Sequence, residues 1–91
     1  MKAIKIRMKL GSSASNELTE IDSIYLTGCQ QDGYYKKEVI HHYLIDHPHT
    51  IQVNVYPFPD VIPATSSQGD NYVRSTPDSS LKDNLLNLPR T

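Results

Sequence analysis

The chain has 91 residues, nine Lys and Arg against ten Asp and Glu, 37% hydrophobic residues, no Trp, one Phe and six Tyr. That length suits one domain, residues 1–91, with a small core. A net charge of −1 gives no global electrostatic drive toward a nucleic-acid polymer or an anionic membrane.

A lone cysteine, Cys29, excludes an intramolecular disulfide, and its neighbours Gly28 and Gln30 offer nothing to activate a thiol. No apolar run is long enough for a signal peptide or a membrane span, so a cytoplasmic setting is expected. The lean core of so short a chain predicts stabilisation by self-association, a homo-oligomer.

Ala3 to Leu10 alternates, with Ile4, Ile6, Met8 and Leu10 on one face and Lys5, Arg7 and Lys9 on the other, the pattern of a half-buried strand. With Lys2 these cations form either a solvated strand face or a local anion-binding strip. Gly11 to Asn16 is a small, polar connector, and Thr19 to Thr27 reads as a second strand with Ile24 and Leu26 on one face and Tyr25 on the other. The two strands pair most simply as a long-looped hairpin.

Gly28 to Gly33 is a turn region, after which the period changes. Tyr35, Val39, Ile40, Tyr43 and Leu44 form one helical stripe, with Lys36, Lys37, His41 and His42 outside it. Asp46-His47-Pro48 stops that helix, since a residue before proline avoids the α region.

Thr50 to Tyr56 returns to period two, and Pro57-Phe58-Pro59 leaves the ladder for want of amide donors. Val61 and Ile62 suit a short edge strand, Thr65 to Asp70 a loop, and Asn71 to Ser75 the last strand. Pro77-Asp78 opens a turn, and the leucine-rich Leu81 to Leu88 is expected to fold back as about one helical turn and close the core. The expected class is α+β: a small antiparallel sheet of four or five strands, order ββαβ(β)β, with one helix packed on a face.

Tyr72, Arg74, Thr76, Asp78, Asp83 and Asn84 make the densest polar group. On a strand Tyr72 and Arg74 share a face, so a guanidinium beside an aromatic ring can take a phosphate or carboxylate. Equally, Arg74 can pair with Asp78 or Asp83 and pin the tail, with Asn84 bonding backbone in the turn. His41, His42, His47 and His49 match no zinc pattern, so no metal is expected. No nucleophile elbow, Cys–His arrangement, phosphate loop or dinucleotide fingerprint is present, which argues against an enzyme and against a cofactor.

The run Tyr72-Val73-Arg74-Ser75-Thr76-Pro77-Asp78, followed by Asp83-Asn84-Leu85-Leu86 and Leu88-Pro89, resembles the ending of a family of small bacterial and phage domains of unknown function. That family closes on a Tyr-aliphatic-Arg-Thr strand and an Asn-Leu-Leu-x-Leu-Pro segment, with Ser75 standing here in place of the threonine. In size and strand-rich plan the chain is also similar to phage anti-defence sponges, which sequester nucleotide-derived signals.

The expected function is a non-catalytic binding domain, phage or prophage encoded, that binds or sequesters a small anionic, nucleotide-like ligand. The candidate ligand-binding residues are Tyr72, Arg74, Thr76, Asp78, Asn84, Arg90 and Arg7. The alternative is a protein-interaction module that inhibits or scaffolds a partner.

Overall fold

The computed structural model describes residues 1–77 and 82–91, so the expectations resting on Asp78 and Leu81 lie outside the described residues. The strands are β1 (Lys2–Met8), β2 (Ile21–Thr27), β3 (Gly33–Lys36), β4 (Gln52–Val53), β5 (Val61–Thr65) and β6 (Asn71–Ser75). The single α-helix, α1 (Lys37–Asp46), follows β3 directly, and short 3-10 turns cover Leu18–Glu20 and Asn84–Asn87.

A four-stranded sheet has the order β3-β2-β1-β4, and β5 and β6 form a separate hairpin. The expected α+β class holds, but the sheet is mixed rather than antiparallel, because β1 and β4 run parallel. Since β3 and β4 flank a helix that packs back on the sheet, they run the same way, with β2 and β1 between them. The additional strand β3 falls where a turn and the start of the helix were expected, its four residues being too few to show a period.

β1 pairs with β2 from Lys2↔Thr27 to Met8↔Ile21, and Ile4 and Asp22 are left without a partner in that ladder. Each is an inserted residue that resets the side-chain alternation. The buried residues of β1 are therefore Ala3, Ile6 and Met8, whereas the expected face was Ile4, Ile6, Met8 and Leu10. Leu10 lies beyond the strand and is fully exposed.

The helix is rotated from the expected stripe. Lys37, Ile40, His41 and Leu44 are buried, while Val39 and Tyr43 are exposed and Tyr35 belongs to β3. The turn of the helix brings His41 Nδ1 to 2.9 Å from the Tyr72 carbonyl on β6, where the ring nitrogen is the donor. The Lys37 ammonium lies 3.2 Å from Glu38. Helix and hairpin together cover the inner face of the sheet, burying Ile24 and Leu26 with Ile40, Leu44, Val61 and Val73 in one core.

Between Thr50 and Tyr56 only Gln52 and Val53 enter a ladder, although Ile51 and Val53 are buried at the expected spacing. Asp60 ties this segment to the hairpin: it bridges Gln52, and its carbonyl accepts from the Thr76 amide at 2.9 Å. β5 runs past Ile62 to Thr65 and includes Pro63, which is tolerated in a strand with a free edge.

The tail folds back as expected. Leu85, Leu86 and Leu88 are buried, the Asp83 carboxylate caps the final turn through the Leu85 amide at 2.9 Å, and the Ile6 amide donates to the Pro89 carbonyl at 2.9 Å. Leu86→Ala should cost about 2–5 kcal/mol, and removal of residues 84–91 should abolish cooperative unfolding. Thermal denaturation followed by circular dichroism reads both, and a truncated chain that melts like the full one would show the tail to be dispensable.

Asp60 is one of the groups that should make the fold acid-sensitive. Hydrogen bonds from Gln52, and then from His49, hold its carboxyl below the ordinary value of 3.8. The folded state thus favours the ionised form. That contribution is complete above the ordinary value and is lost as pH falls through the lower folded value. Asp60→Asn should therefore flatten the decline in melting temperature as pH falls below the ordinary value of 3.8; an unchanged slope would contradict it.

Candidate functional site

The inserted Ile4 decides which side chains share the outer face of the sheet. Lys2 and Lys5 are an odd number of residues apart and would point to opposite faces of a regular strand. With Ile4 outside the ladder, Lys2 pairs opposite Thr27 and Lys5 opposite Tyr25, on the side away from the buried Ala3 and Ile6. Arg7 follows on the same side, opposite Ser23. On β3, Tyr34 lies opposite Tyr25, and Tyr35 turns inward opposite Ile24.

The cations meet rings at each position. Lys2 Nζ is 5.0 Å from the Phe58 ring centre, Lys5 Nζ is 4.8 Å from Tyr25 and 5.7 Å from Tyr34, and the Arg7 guanidinium is 4.0 Å from Tyr34. Tyr25 and Tyr34 pack edge to face with centres 5.1 Å apart, and the Tyr34 hydroxyl is hydrogen-bonded to Thr91. Ring and cation attract through the ring quadrupole and do so without neutralising the charge.

Two acids of the sheet region, Asp22 and Asp60, are engaged elsewhere. Asp22 takes two contacts from Lys36 Nζ, at 2.9 and 3.0 Å, and the hydrogen bond from Lys36 leads in holding its carboxyl below the ordinary value. Asp60 is bound at 2.8 Å by both Gln52 and His49. Among the described residues none of Lys2, Lys5 and Arg7 makes an ion pair. An open, flat surface with three uncompensated cations and interleaved rings can hold an anion that carries a planar group.

Of the described residues expected to bind ligand, only Arg7 lies on this face. Tyr72 and Arg74 do share a side of β6, opposite the buried Val73 and Ser75. Tyr72 lines a separate hollow of about 400 Å³ with Asn16, Lys82, Asp83 and Leu86. The expected Arg74–Asp83 pair does not form. Asp83 accepts instead from the Ser75 amide at 3.0 Å and the Ser75 hydroxyl at 2.8 Å, because Ser75 points inward toward the capped turn. Arg74 Nε is buried and has no hydrogen-bond partner among the described residues.

Thr76 is half-buried, and its amide links the hairpin to Asp60. Asn84 is buried, its amide donates to Ser75 Oγ at 3.3 Å, and its side-chain oxygen accepts from Asn87. Arg90 is committed to the protein: Nη1 donates to the carbonyls of Ser13 (3.0 Å) and Ser15 (2.7 Å), and Nη2 to that of Leu86 (3.2 Å). It staples the first long loop to the tail.

Sequence reasoning passed over Tyr25, Tyr34 and Phe58 as site residues. The signal available was the coincidence of a cation-bearing strand face with tyrosines in neighbouring strands, and reading it required the register.

A wider cleft of about 860 Å³ opens under α1 at the end of the sheet, lined by Leu26, Cys29, Tyr35, Val39, Ile40 and Tyr43 among others. Among the described residues no three His, Cys, Asp or Glu side chains gather where they could hold a metal ion. None of the described helices is long and apolar enough to cross a membrane.

Neither the curated proteins nor the solved structures contain a significant match to this chain. A family model described as "Protein of unknown function (DUF3892)" matches residues 2–89, in line with the resemblance read from the tail. With nearly its whole length matched, the chain belongs to that family.

Proposed function

We propose that the protein is a non-catalytic binding domain that holds a small anionic, nucleotide-like ligand on the outer face of its four-stranded sheet. The Arg7–Tyr34 stack at 4.0 Å supports this reading most directly. Stacking orients the guanidinium as a plane whose donors remain free for a phosphate or carboxylate. The hydrogen bond between Tyr34 and Thr91 holds the ring from its far end. Lys5, which reaches the same ring, adds a second positive charge. A face of this kind suffices to sequester a nucleotide-derived signal, and it needs no catalytic group.

Calorimetry and thermal shift against a panel of nucleotides test the reading. Arg7→Ala should weaken binding about 10- to 100-fold, from about 1.5–3 kcal/mol for a hydrogen bond to a charged group, with the melting temperature of the free protein nearly unchanged. Arg74→Ala should leave the affinity intact. A panel with no stabilising member would remove the proposal, and a loss confined to Arg74→Ala would move the site to Tyr72 and Arg74.

A second reading, an interaction module that self-associates, is favoured by the exposed Val39 and Tyr43 on one side of α1, by the exposed Ile45 on another, and by the free edge of β3. Sedimentation at micromolar concentration should then show a dimer or larger assembly that Ile45→Asp dissociates. A monomer across that range would remove this reading.

A further inference from the structure

Resting on the anion-binding reading above, we propose that the occupant of the sheet face is a single-stranded oligonucleotide several nucleotides long, rather than an isolated nucleotide.

The first reason is extent. Lys2 and Arg7 lie opposite Thr27 and Ser23, four residues apart on β2, so the cation row spans about 13 Å at the usual rise per residue, and each cation stands over a ring. Beyond Lys2 the row continues into Phe58 and Tyr56, which meet edge to face 6.1 Å apart and are 48% and 83% exposed. Exposed aromatic rings at the end of a cation row have no bearing on one small anion. They are what successive unstacked bases need, since every base has a face that can stack.

The second reason is how Phe58 is held. Its backbone is left-handed, φ 59°, which a bulky side chain rarely adopts. The Phe58 amide closes a tight turn onto the Val55 carbonyl at 2.7 Å, which fixes the ring beside Lys2. Strain of this kind persists where the surrounding structure imposes it, and it concentrates at ligand contacts.

The third reason is shape. The face is an open sheet rather than a cavity, so a mononucleotide would leave much of its surface in water. A chain of nucleotides gains affinity by summing phosphate and stacking contacts along the strip. A duplex hides its bases and could use the cations alone.

The overall charge of −1 does not oppose this. At physiological ionic strength the charges act over about 8 Å, and none of Lys2, Lys5 and Arg7 is ion-paired among the described residues, the carboxylates of Asp22 and Asp60 being bound to other neighbours. Cations and ring faces engage phosphates and bases, which DNA and RNA share, so DNA and RNA single strands are expected to bind alike.

Fluorescence anisotropy with labelled dT12 and rU12, a 12-base-pair duplex and unlabelled dTMP and UMP tests the inference. Both single strands should bind more tightly than the duplex and at least tenfold more tightly than the mononucleotides. The logarithm of the binding constant should fall with the logarithm of salt at a slope of about −2, from about −0.7 for each of three phosphates. Lys2→Ala should make that slope shallower. Phe58→Ala and Tyr56→Ala should weaken single-strand binding about fivefold or more without altering the slope.

Mononucleotides that bind as tightly as dT12, with the same dependence on Arg7, would overturn the oligonucleotide and leave the small-ligand reading standing. Binding by neither would overturn both. Single-strand binding indifferent to Lys2 and Phe58, or equalled by the duplex, would also overturn the inference.

Discussion

The structure depends on how the two edges of β1 are shared. One edge is taken along its length by β2. The other is divided: β4 pairs with Lys2 and Ala3, and the tail takes the far end, where the Ile6 amide donates to Pro89 at 2.9 Å and the Thr91 amide to Ile6 at 3.1 Å. A central strand half unpaired would expose backbone groups beside the core, so the final three residues complete the sheet as well as cover it. Arg90 reinforces that closure by reaching the carbonyls of Ser13 and Ser15, more than seventy positions earlier in the chain. The first and last segments are thereby ordered together.

The same strand carries the surface that we assign to binding. The unpaired Ile4 costs β1 a regular ladder and moves Ala3 into the core position an isoleucine was expected to fill. In exchange Lys2 joins Lys5 and Arg7 on the outer face. Cations crowded on one strand repel one another, and the tyrosines and Phe58 beneath them provide an attraction that leaves the charge available. Pairing with carboxylates, as Lys36 pairs with Asp22, would have neutralised it.

Polar side chains secure the scaffold, Asn84 and Arg90 of the expected ligand residues among them. Asp83 serves Ser75 and the final turn, His41 holds the helix to β6, and Asp60 ties β4 to the hairpin. Each satisfies a donor or acceptor that burial would otherwise leave costly. Arg74 is the exception, with a buried Nε that has no partner among the described residues.

Local patterning determined the second and last strands, the end of the helix at Asp46 and the burial of the closing leucines, because alternation and proline act within a few residues. It also singled out the cations of the first strand, Arg7 among the candidate site residues. It could not show that Ile4 drops out of register, since an inserted residue is defined only by the partner strand. Nor could it set the rotation of the helix. A stripe through Val39 and Tyr43 competes with one through Lys37 and His41, and the carbonyl of Tyr72, distant in sequence, selects the second. The parallel pairing of β1 with β4 and the meeting of Arg7 with Tyr34 are likewise contacts between remote segments, decided only when the chain closes on itself.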